Sequence, residues 1–182
     1  MKTRKKLQIL DAAGLNRVLT RMAHEVIERN RGAGNLVIVG MLTRGALLAK
    51  RLAQKIQQIE KKPVRVGVLD VALYRDDFRS PHKQPAVRVT DIPFSIEAKD
   101  VLLVDDVLYT GRSVRAALDA LIDLGRPRTI QFAALIDRGL RELPIHADYV
   151  GKEVKTSPQE EIRVQVREND TSDSVWLVEI EK

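Results

Sequence analysis

The stretch Val-Leu-Leu-Val-Asp-Asp-Val-Leu-Tyr-Thr-Gly-Arg-Ser, Val101 to Ser113, decides how the rest of this chain is interpreted. Val101 to Val104 form an apolar run without helical periodicity, which is typical of a strand buried on both faces. Asp105 and Asp106 follow the run, and a short loop then leads into a helical pattern at Val114. This order predicts an open α/β sheet, in which ligands bind at the carboxyl ends of the strands.

The loop at 109–113 has the chemistry of a site for a phosphorylated sugar. A helix that begins at such a loop offers free backbone N–H groups and the positive end of its dipole, and both suit a phosphate. Two adjacent carboxylates do not bind phosphate. They suit sugar hydroxyls, or a metal ion that carries the charge of a second phosphate group. We therefore expect this loop to bind a ribose with a phosphate at one end.

Composition indicates a single cytoplasmic domain that binds anions. The chain has 182 residues, of which 44% are hydrophobic and 31% charged, and no apolar run approaches the length of a membrane span. The absence of cysteine excludes disulfides, a thiolate nucleophile and a Cys-type zinc site. A net charge of +6 predicts anionic partners, and nucleotides, sugar phosphates and RNA all qualify.

Several other segments have recognisable patterns. Asp11 is a candidate N-cap for a helix that has an apolar face and ends before Gly32. The basic residues before Asp11 are expected to form a solvated tail. Gly40 and Gly45 are spaced as in a Walker A loop, but Ala46 and the residue after it replace the required Lys and Ser/Thr. Further strands are predicted over 36–39, 64–73 and 130–136, and a hairpin over 162–166 and 175–180.

Residues 105–113 resemble the phosphoribosyl-diphosphate (PRPP) loop of type I phosphoribosyltransferases. With Tyr74-Arg75-Asp76-Asp77 and Asp137-Arg138-Gly139, the likeness extends from about Leu15 to Val166, and it is strongest to uracil phosphoribosyltransferases that also regulate pyrimidine operons. The resemblance implies a mostly parallel central sheet flanked by helices, all within one domain over 1–182. It also implies a flexible lid at about 74–92, and a small hood formed by about 138–182 with the N-terminal segment.

The resemblance assigns roles to individual residues. Asp105, Asp106 and Arg44 would be catalytic: the two acids hold the ribose hydroxyls and, largely through substrate and water, Mg²⁺, while Arg44 and Thr43 hold the diphosphate. Arg138 would reach the pyrimidine ring. Tyr149 would either stack near the ring or pack in the core. The implied PRPP- and UMP-binding residues are Thr43, Arg44, Asp105, Asp106, Val107, Leu108, Tyr109, Thr110, Gly111, Arg112, Ser113, Arg138, Tyr149 and, through its backbone, Val150; the lid residues are Tyr74, Arg75, Asp76 and Asp77.

The same resemblance implies a basic surface that binds pyrimidine operon leader mRNA under the control of UMP or UTP, and assembly into a homo-oligomer. The implied RNA contacts are Thr20, Arg21, His24, Arg141 and Lys152. Leu42, Leu140 and His146 depart from the Lys, His and Arg that the resemblance leads us to expect there. Such departures remove phosphate contacts, each worth about one unit of salt slope.

The expected reaction converts uracil and PRPP into UMP and diphosphate. Displacement at the anomeric carbon passes through an oxocarbenium-like state and needs no protein nucleophile, which agrees with the absence of cysteine. A receiver domain is a poor alternative, because too little chain follows Asp106 for a domain in which the acid pair lies near the start. Two alternatives remain: an RNA-binding regulator with negligible catalysis, and a phosphoribosyltransferase for a purine without RNA binding.

Overall fold

The computed structural model describes residues 2–72 and 90–181. Helices and strands alternate through most of this part of the chain, and strands alone fill the last third. The elements in chain order are β1 (Lys2–Leu10), α1 (Ala12–Asn30), β2 (Leu36–Met41), α2 (Arg44–Glu60), β3 (Arg65–Leu69), β4 (Asp100–Leu108), α3 (Arg112–Leu124), β5 (Thr129–Asp137), β6 (Tyr149–Glu153), β7 (Glu160–Gln165) and β8 (Ser174–Glu181).

The main sheet is parallel, and β4 lies at its centre. Among the described residues its strand order is β3-β2-β4-β5-β6, and every neighbouring pair is parallel. Val101 on β4 pairs with Val37 on β2 and with Ile130 on β5. The carboxyl ends of β2, β4 and β5 therefore meet at one edge of the sheet, and the predicted α/β fold is confirmed.

Helices cover both faces of the sheet, which explains why β4 begins with an unbroken apolar run. Leu102 and Val104 pack on the face covered by α1 and α2, whereas Val101 and Leu103 pack on the face covered by α3. All four side chains are at most 3% exposed. No helix among the described residues is both long enough and apolar enough to cross a membrane.

The predicted start and end of α1 are confirmed. The Asp11 carboxylate accepts a hydrogen bond from the backbone N–H of Gly14 at 2.6 Å, which satisfies one of the donors left open at a helix N-terminus. At the other end Arg31 takes a left-handed conformation with φ 54°, and its N–H donates to the carbonyl of Glu28.

A second sheet contains strands from both ends of the described chain, and from here on the name hood refers to this sheet alone. Its strand order is β1-β8-β7, with antiparallel pairing throughout. The expected solvated tail is therefore wrong, since it forms β1. The first five residues of β1 are all polar, so they show no alternating pattern, and pairing with β8 and two contacts hold them in place. Lys5 lies 4.4 Å from the Trp176 ring centroid, and Lys6 pairs with Glu160 at 2.7 Å.

Three strands differ from the pattern-based expectation. The strand predicted over 64–73 is shorter, since β3 ends at Leu69. β4 does not end at Val104 but continues through the acid pair to Leu108, because β5 runs alongside and pairs with Asp105 and Val107. β6 had no strand prediction, since its five residues are too few to show a period; it forms because β5 offers an open edge. The predicted hairpin is confirmed as β7 and β8.

A buried carboxylate stabilises the edge of the sheet opposite the acid pair. Asp100 is 3% exposed and accepts hydrogen bonds from Arg128 at 2.8 Å, from the Thr129 hydroxyl at 2.9 Å and from Asn35 at 3.3 Å. The hydrogen bonds from Arg128 hold the pKa of Asp100 below its ordinary value. Because the folded-state pKa is the lower one, this contribution to stability is present above the unfolded-state pKa and is lost as the pH falls through the folded-state value.

We predict that Asp100→Asn lowers the free energy of unfolding at neutral pH by about 1–3 kcal/mol, since it removes the charge of a buried acceptor on which three hydrogen-bond donors converge. Urea unfolding between pH 3 and pH 7 measures this. The gap between wild type and variant should close toward the acid end. Asp119→Asn is the control: it breaks an exposed pair with Arg115 on α3 and should change the stability by less than about 0.5 kcal/mol. Equal losses in both variants would contradict this account.

Candidate active site

A polar cavity of about 400 Å³ lies where the carboxyl ends of β4 and β5 meet α2, α3 and the hood. Most of the residues that the sequence assigned to substrate line it, together with one strand of the hood. The lining residues are Arg44, Asp105, Asp106, Val107, Leu108, Tyr109, Thr110, Gly111, Ser113, Val114, Arg138, Glu161, Ile162, Arg163 and Val164.

The beginning of α2 lies directly against the end of β4 because Gly45 has no side chain, and it lies directly against β2 because Gly40 has none. A Cβ atom on Gly45 would lie 2.6 Å from the Val104 carbonyl oxygen and 3.0 Å from the Asp105 Cα. A Cβ atom on Gly40 would lie 2.4 Å from the Ala46 Cα. This contact brings Arg44, the first residue of α2, to the same cavity as the acid pair. The Leu42–Thr43 peptide bond that precedes it is cis.

The two acids of β4 differ in their surroundings. The Asp105 carboxylate accepts a hydrogen bond from the Asp106 backbone N–H at 2.9 Å. Burial raises the pKa of Asp106, against the opposing effects of the Asp105 side chain and the Arg44 charge. A cation that arrives beside a buried carboxyl group lowers its pKa and so favours the ionised form. Asp106 is therefore suited to a group that becomes positive during a reaction, or to a metal ion.

The loop after β4 presents a helix N-terminus to the cavity. Gly111 takes φ +92°, where other residues are strained, and α3 begins at the next residue. The first N–H groups of a helix have no partner within it, so α3 offers donors at this point. The hydroxyls of Thr110 and Ser113 line the same space. This geometry suits a phosphate group, as the sequence predicted.

The segment after β5 holds this loop in position. Arg141 donates to the carbonyl oxygens of Tyr109 at 2.9 Å and Ile145 at 3.0 Å, and it forms an ion pair with Asp137. Burial works to raise the pKa of Asp137, but the hydrogen bonds from Arg141 and from the Gly139 N–H outweigh it, so the pKa lies below its ordinary value. Arg141, which the sequence assigned to RNA, has its donors engaged inside the protein.

Arg138 is a buried cation at the far wall of the cavity. It is 6% exposed, and burial lowers its pKa. Its guanidinium donates to the Thr156 hydroxyl at 3.0 Å and to the Glu160 carbonyl at 2.6 Å, and it stacks on the Tyr109 ring with 4.0 Å to the centroid. It thus joins the phosphate-binding loop to the start of β7.

Tyr149 and Val150 are not among the residues that line the cavity. The Tyr149 ring is 4% exposed, and its hydroxyl donates to Gln131 at 2.6 Å, which favours the core-packing alternative. The Val150 carbonyl accepts a hydrogen bond from Arg21 on α1 at 3.0 Å. The structure brings β7 to the cavity in place of β6. Sequence reasoning missed this, because alternation in 162–166 reveals a strand but not the strand's neighbour.

The remaining assigned residues fall into three groups. Thr43 precedes α2, and Arg112 opens α3; neither lines the cavity. Thr20, Arg21 and His24 lie on α1, and Lys152 lies on the adjacent strand β6, so these four RNA candidates occupy neighbouring elements. The lid residues Tyr74, Arg75, Asp76 and Asp77 lie outside the described residues.

Comparison with known proteins agrees with this site. Residues 6–170 match the family described as the phosphoribosyl transferase domain. Solved structures share the fold: the hypoxanthine phosphoribosyltransferase of Trypanosoma cruzi aligns with TM-score 0.73 and 18% identity, covering 97% of this chain and 98% of that one. A hypoxanthine-guanine phosphoribosyltransferase from Bacillus anthracis aligns with TM-score 0.69 and 18% identity, covering 97% and 99%. The fold and the site together define a phosphoribosyltransferase.

Closer relatives narrow the class. The chain is 60% identical over 176 residues to the "Bifunctional protein PyrR" of Pelotomaculum thermopropionicum, covering 97% of each chain. It is 56% identical over 174 residues to the protein of the same name from Bacillus mycoides, covering 94% of this chain and 97% of that one. The chain therefore belongs to the PyrR family of phosphoribosyltransferases, which confirms the resemblance found in the sequence.

We predict that Gly45→Ala lowers the free energy of unfolding by about 1–3 kcal/mol, because the added methyl group forces α2 away from β4. The same shift moves Arg44 away from the acid pair, so PRPP binding weakens as well. Thermal unfolding and calorimetric titration measure the two effects. Gly34→Ala is the matched control, since no heavy atom lies within 4 Å of its added Cβ. A Gly45→Ala protein as stable as the Gly34→Ala protein would contradict the close-contact argument.

Proposed function

We propose that this protein transfers the ribose 5-phosphate group of PRPP to uracil, forming UMP and diphosphate, and that it also binds pyrimidine operon leader mRNA. One observation carries the catalytic part: the acid pair of β4, the N-terminus of α3 and Arg44 all line one polar cavity. These are the groups that a ribose, its 5-phosphate and a diphosphate require. Membership of the PyrR family supports both activities.

Catalysis in this site depends on placing charge. The N–H groups at the start of α3 and the Thr110 and Ser113 hydroxyls bind the 5-phosphate. Asp105 and Asp106 hold the ribose hydroxyls, and their negative charge favours the cationic transition state. Arg44 takes up charge that develops on the leaving diphosphate. No protein nucleophile takes part, so the residues act by orientation and electrostatics.

Mg²⁺ fits this site as an ion that binds together with PRPP, which supplies some of its ligand oxygens. No group of three or more potential ligand side chains was found within residues 2–72 and 90–181, so these residues do not form a protein-only cage. Two adjacent carboxylates beside a polar cavity suit a hydrated Mg²⁺ that takes its other oxygens from PRPP and water. When bound, the ion neutralises charge on the diphosphate. Asp105 and Asp106 would hold it.

The open edge of β7 offers groups that match the edge of a uracil ring. β7 ends the strand order of the hood as far as the structure describes it. The Ile180 N–H donates to the Gln159 carbonyl, which therefore points toward β8, whereas the next carbonyl, that of Glu160, accepts from Arg138 instead. Because these directions alternate along a strand, the backbone groups of Ile162 and Val164 point away from β8. Both residues line the cavity.

Uracil presents an N–H donor between two carbonyl acceptors, and a row of backbone N–H and C=O groups is complementary to that pattern. We therefore assign base recognition to the backbone of Ile162 and its neighbours, with Arg138 holding β7 in place. This replaces the expectation that Val150 reads the base edge. It also gives Arg138 an indirect role, since its guanidinium is bonded to Thr156 and Glu160.

RNA binding belongs to the surface formed by α1 and β6. His24 and Lys152 are exposed there, and Arg21 donates to the carbonyls of Val150 and Gly151, which fixes α1 against β6. β6 pairs with β5, whose end reaches the nucleotide cavity. UMP or UTP in that cavity therefore has a physical connection to the RNA surface, and a nucleotide that favours one arrangement of β5 and the hood shifts the population toward the RNA-binding form.

The substrate is tested by product analysis with radiolabelled uracil or hypoxanthine, PRPP and Mg²⁺. The proposal is supported if uracil gives UMP and hypoxanthine gives no product. Product from hypoxanthine alone would identify a purine enzyme, and no product from either base, with nucleotide binding intact, would leave an RNA-binding regulator. The homo-oligomer implied by the resemblance is checked separately by sedimentation.

We predict that Asp106→Asn lowers kcat by at least about 10²-fold, since it removes a charge that stabilises the transition state. Circular dichroism and thermal unfolding should show a folded protein, because Asp106 points into a cavity and not into the apolar core. Steady-state assays with uracil and PRPP measure the loss. Asp119→Asn, which removes an exposed carboxylate from α3, should keep normal turnover. Near-normal turnover in Asp106→Asn would refute the assignment.

For the RNA surface, we predict that Lys152→Gln lowers the salt dependence of leader RNA binding by about one unit of log–log slope, as expected for one lost phosphate contact. Filter binding at several salt concentrations, with UMP present, measures it. Lys50→Gln removes the same charge from the exposed side of α2 and should leave the slope unchanged. The assignment of Lys152 is wrong if both variants shift the slope equally, and the RNA proposal fails if wild type does not distinguish leader RNA from unrelated RNA.

A further inference from the structure

Arg44, which lines the cavity, is held by a carboxylate from a distant part of the chain. Its Nε donates to Oδ2 of Asp170 at 3.3 Å, and its Nη2 donates to Oδ1 at 3.0 Å. Asp170 belongs to the turn between β7 and β8, 126 residues further along the chain. The Arg44 side chain is 32% exposed and the Asp170 side chain 16%, so the pair is partly shielded from water.

The turn that carries Asp170, residues 166–173, is fixed in place. Oδ2 of Asp170 accepts the Val166 N–H at 2.9 Å, and the Asp170 N–H donates to the Val166 carbonyl at 2.7 Å. A second arginine of α2, Arg51, bonds Glu168 at 2.8 Å and Asp173 at 2.7 Å. Arg44 and Arg51 are seven residues apart and so lie on one side of the helix. Asp170 therefore meets Arg44 as part of a docked turn.

Arg44 has acidic neighbours on two sides. Asp170 accepts hydrogen bonds from Arg44 on the side of the hood. The positive charge of Arg44 also acts on Asp106, where it works to lower the pKa of that carboxyl. An arginine side chain has about 2 kcal/mol of rotamer freedom, so an unrestrained Arg44 would sample both partners. Contact with Asp106 would block the space that the sugar and the metal need. The two hydrogen bonds to Asp170 prevent this.

We propose that Asp170 is a positioning residue for the diphosphate of PRPP and that it acts through Arg44. It occupies one edge of the guanidinium, formed by Nε and Nη2, and keeps the group away from Asp106, so that the opposite edge is offered to the diphosphate. This inference rests on the proposed function, since it concerns the same substrate. It adds Asp170, a residue of the β7–β8 turn, to the diphosphate site. It also explains why this residue is negatively charged, since a carboxylate can hold the Arg44 guanidinium.

The test compares two ligands that share a ribose 5-phosphate. PRPP carries the diphosphate and UMP does not, so only PRPP depends on Arg44. In Asp170→Asn the amide oxygen still accepts the Val166 N–H, while the charge that holds Arg44 is lost. We expect calorimetry with Mg²⁺ to show PRPP binding weakened about tenfold, the size of one charge-assisted hydrogen bond, and UMP binding unchanged. Asp170→Glu, which keeps the charge, should restore part of the affinity.

Two controls separate positioning from a merely structural role. Asp173→Asn removes one of the two carboxylates that bind Arg51, while Glu168 still docks the turn and the Arg44–Asp170 pair is unchanged, so PRPP binding should stay normal. In an Arg44→Gln background, adding Asp170→Asn should have no further effect on PRPP. The inference is overturned by tighter PRPP binding in Asp170→Asn, by equal weakening in Asp173→Asn, by parallel loss of UMP binding, or by an effect that persists without Arg44.

The two proposals fail in different ways. If wild type binds neither PRPP nor UMP, the proposed function itself is wrong. If wild type binds both ligands and Asp170→Asn binds PRPP with the wild-type affinity, the proposed function stands and only the role of Asp170 is wrong. Thermal unfolding of each variant shows that the proteins compared are folded.

Discussion

The contact between the start of α2 and the end of β4 is the constraint on which the site depends. Gly45 leaves no side chain between the two elements, so backbone meets backbone at distances that a single methyl group would fill, and Gly40 on β2 allows α2 the same close approach from the neighbouring strand. Only in this arrangement do Arg44 on α2 and the acids of β4 line the same cavity. Without another partner, an arginine that faces two carboxylates across one cavity would pair with them.

The hood resolves that conflict. Its strands come from both ends of the described chain, and its β7–β8 turn supplies acidic groups to both arginines of α2. Arg138 completes the frame from the other side, with bonds to the beginning of β7 and a stacked contact with Tyr109. The hood is thus held to the main sheet by charged contacts that lie around the cavity. The same contacts set the position of the residues that meet substrate.

The residues proposed for substrate and those proposed for RNA lie on neighbouring elements of one sheet. The end of β4 and the residue after β5 line the cavity, whereas α1 and β6 form the surface assigned to RNA. Arg141 illustrates the separation: the sequence places it among the RNA contacts, but its hydrogen bonds support the phosphate-binding loop. A basic residue near a predicted RNA surface can therefore have an internal structural role instead.

The sequence by itself determined the α/β class, the central strand, and the position of the acid pair and of the loop proposed to bind phosphate, because these depend on local order: an apolar run, then acids, then a loop that opens a helix. Through the short motifs that contain them, it also singled out Arg44 and Arg138, which both line the cavity. Only the tertiary structure decided that β1 joins the hood, that Tyr149 packs in the core, that β7 and not β6 faces the cavity, and that Asp170 meets Arg44. Each of these depends on which elements pack together. The β1–β8 pairing and the Arg44–Asp170 pair join residues more than a hundred positions apart, and such contacts leave no local pattern in the sequence.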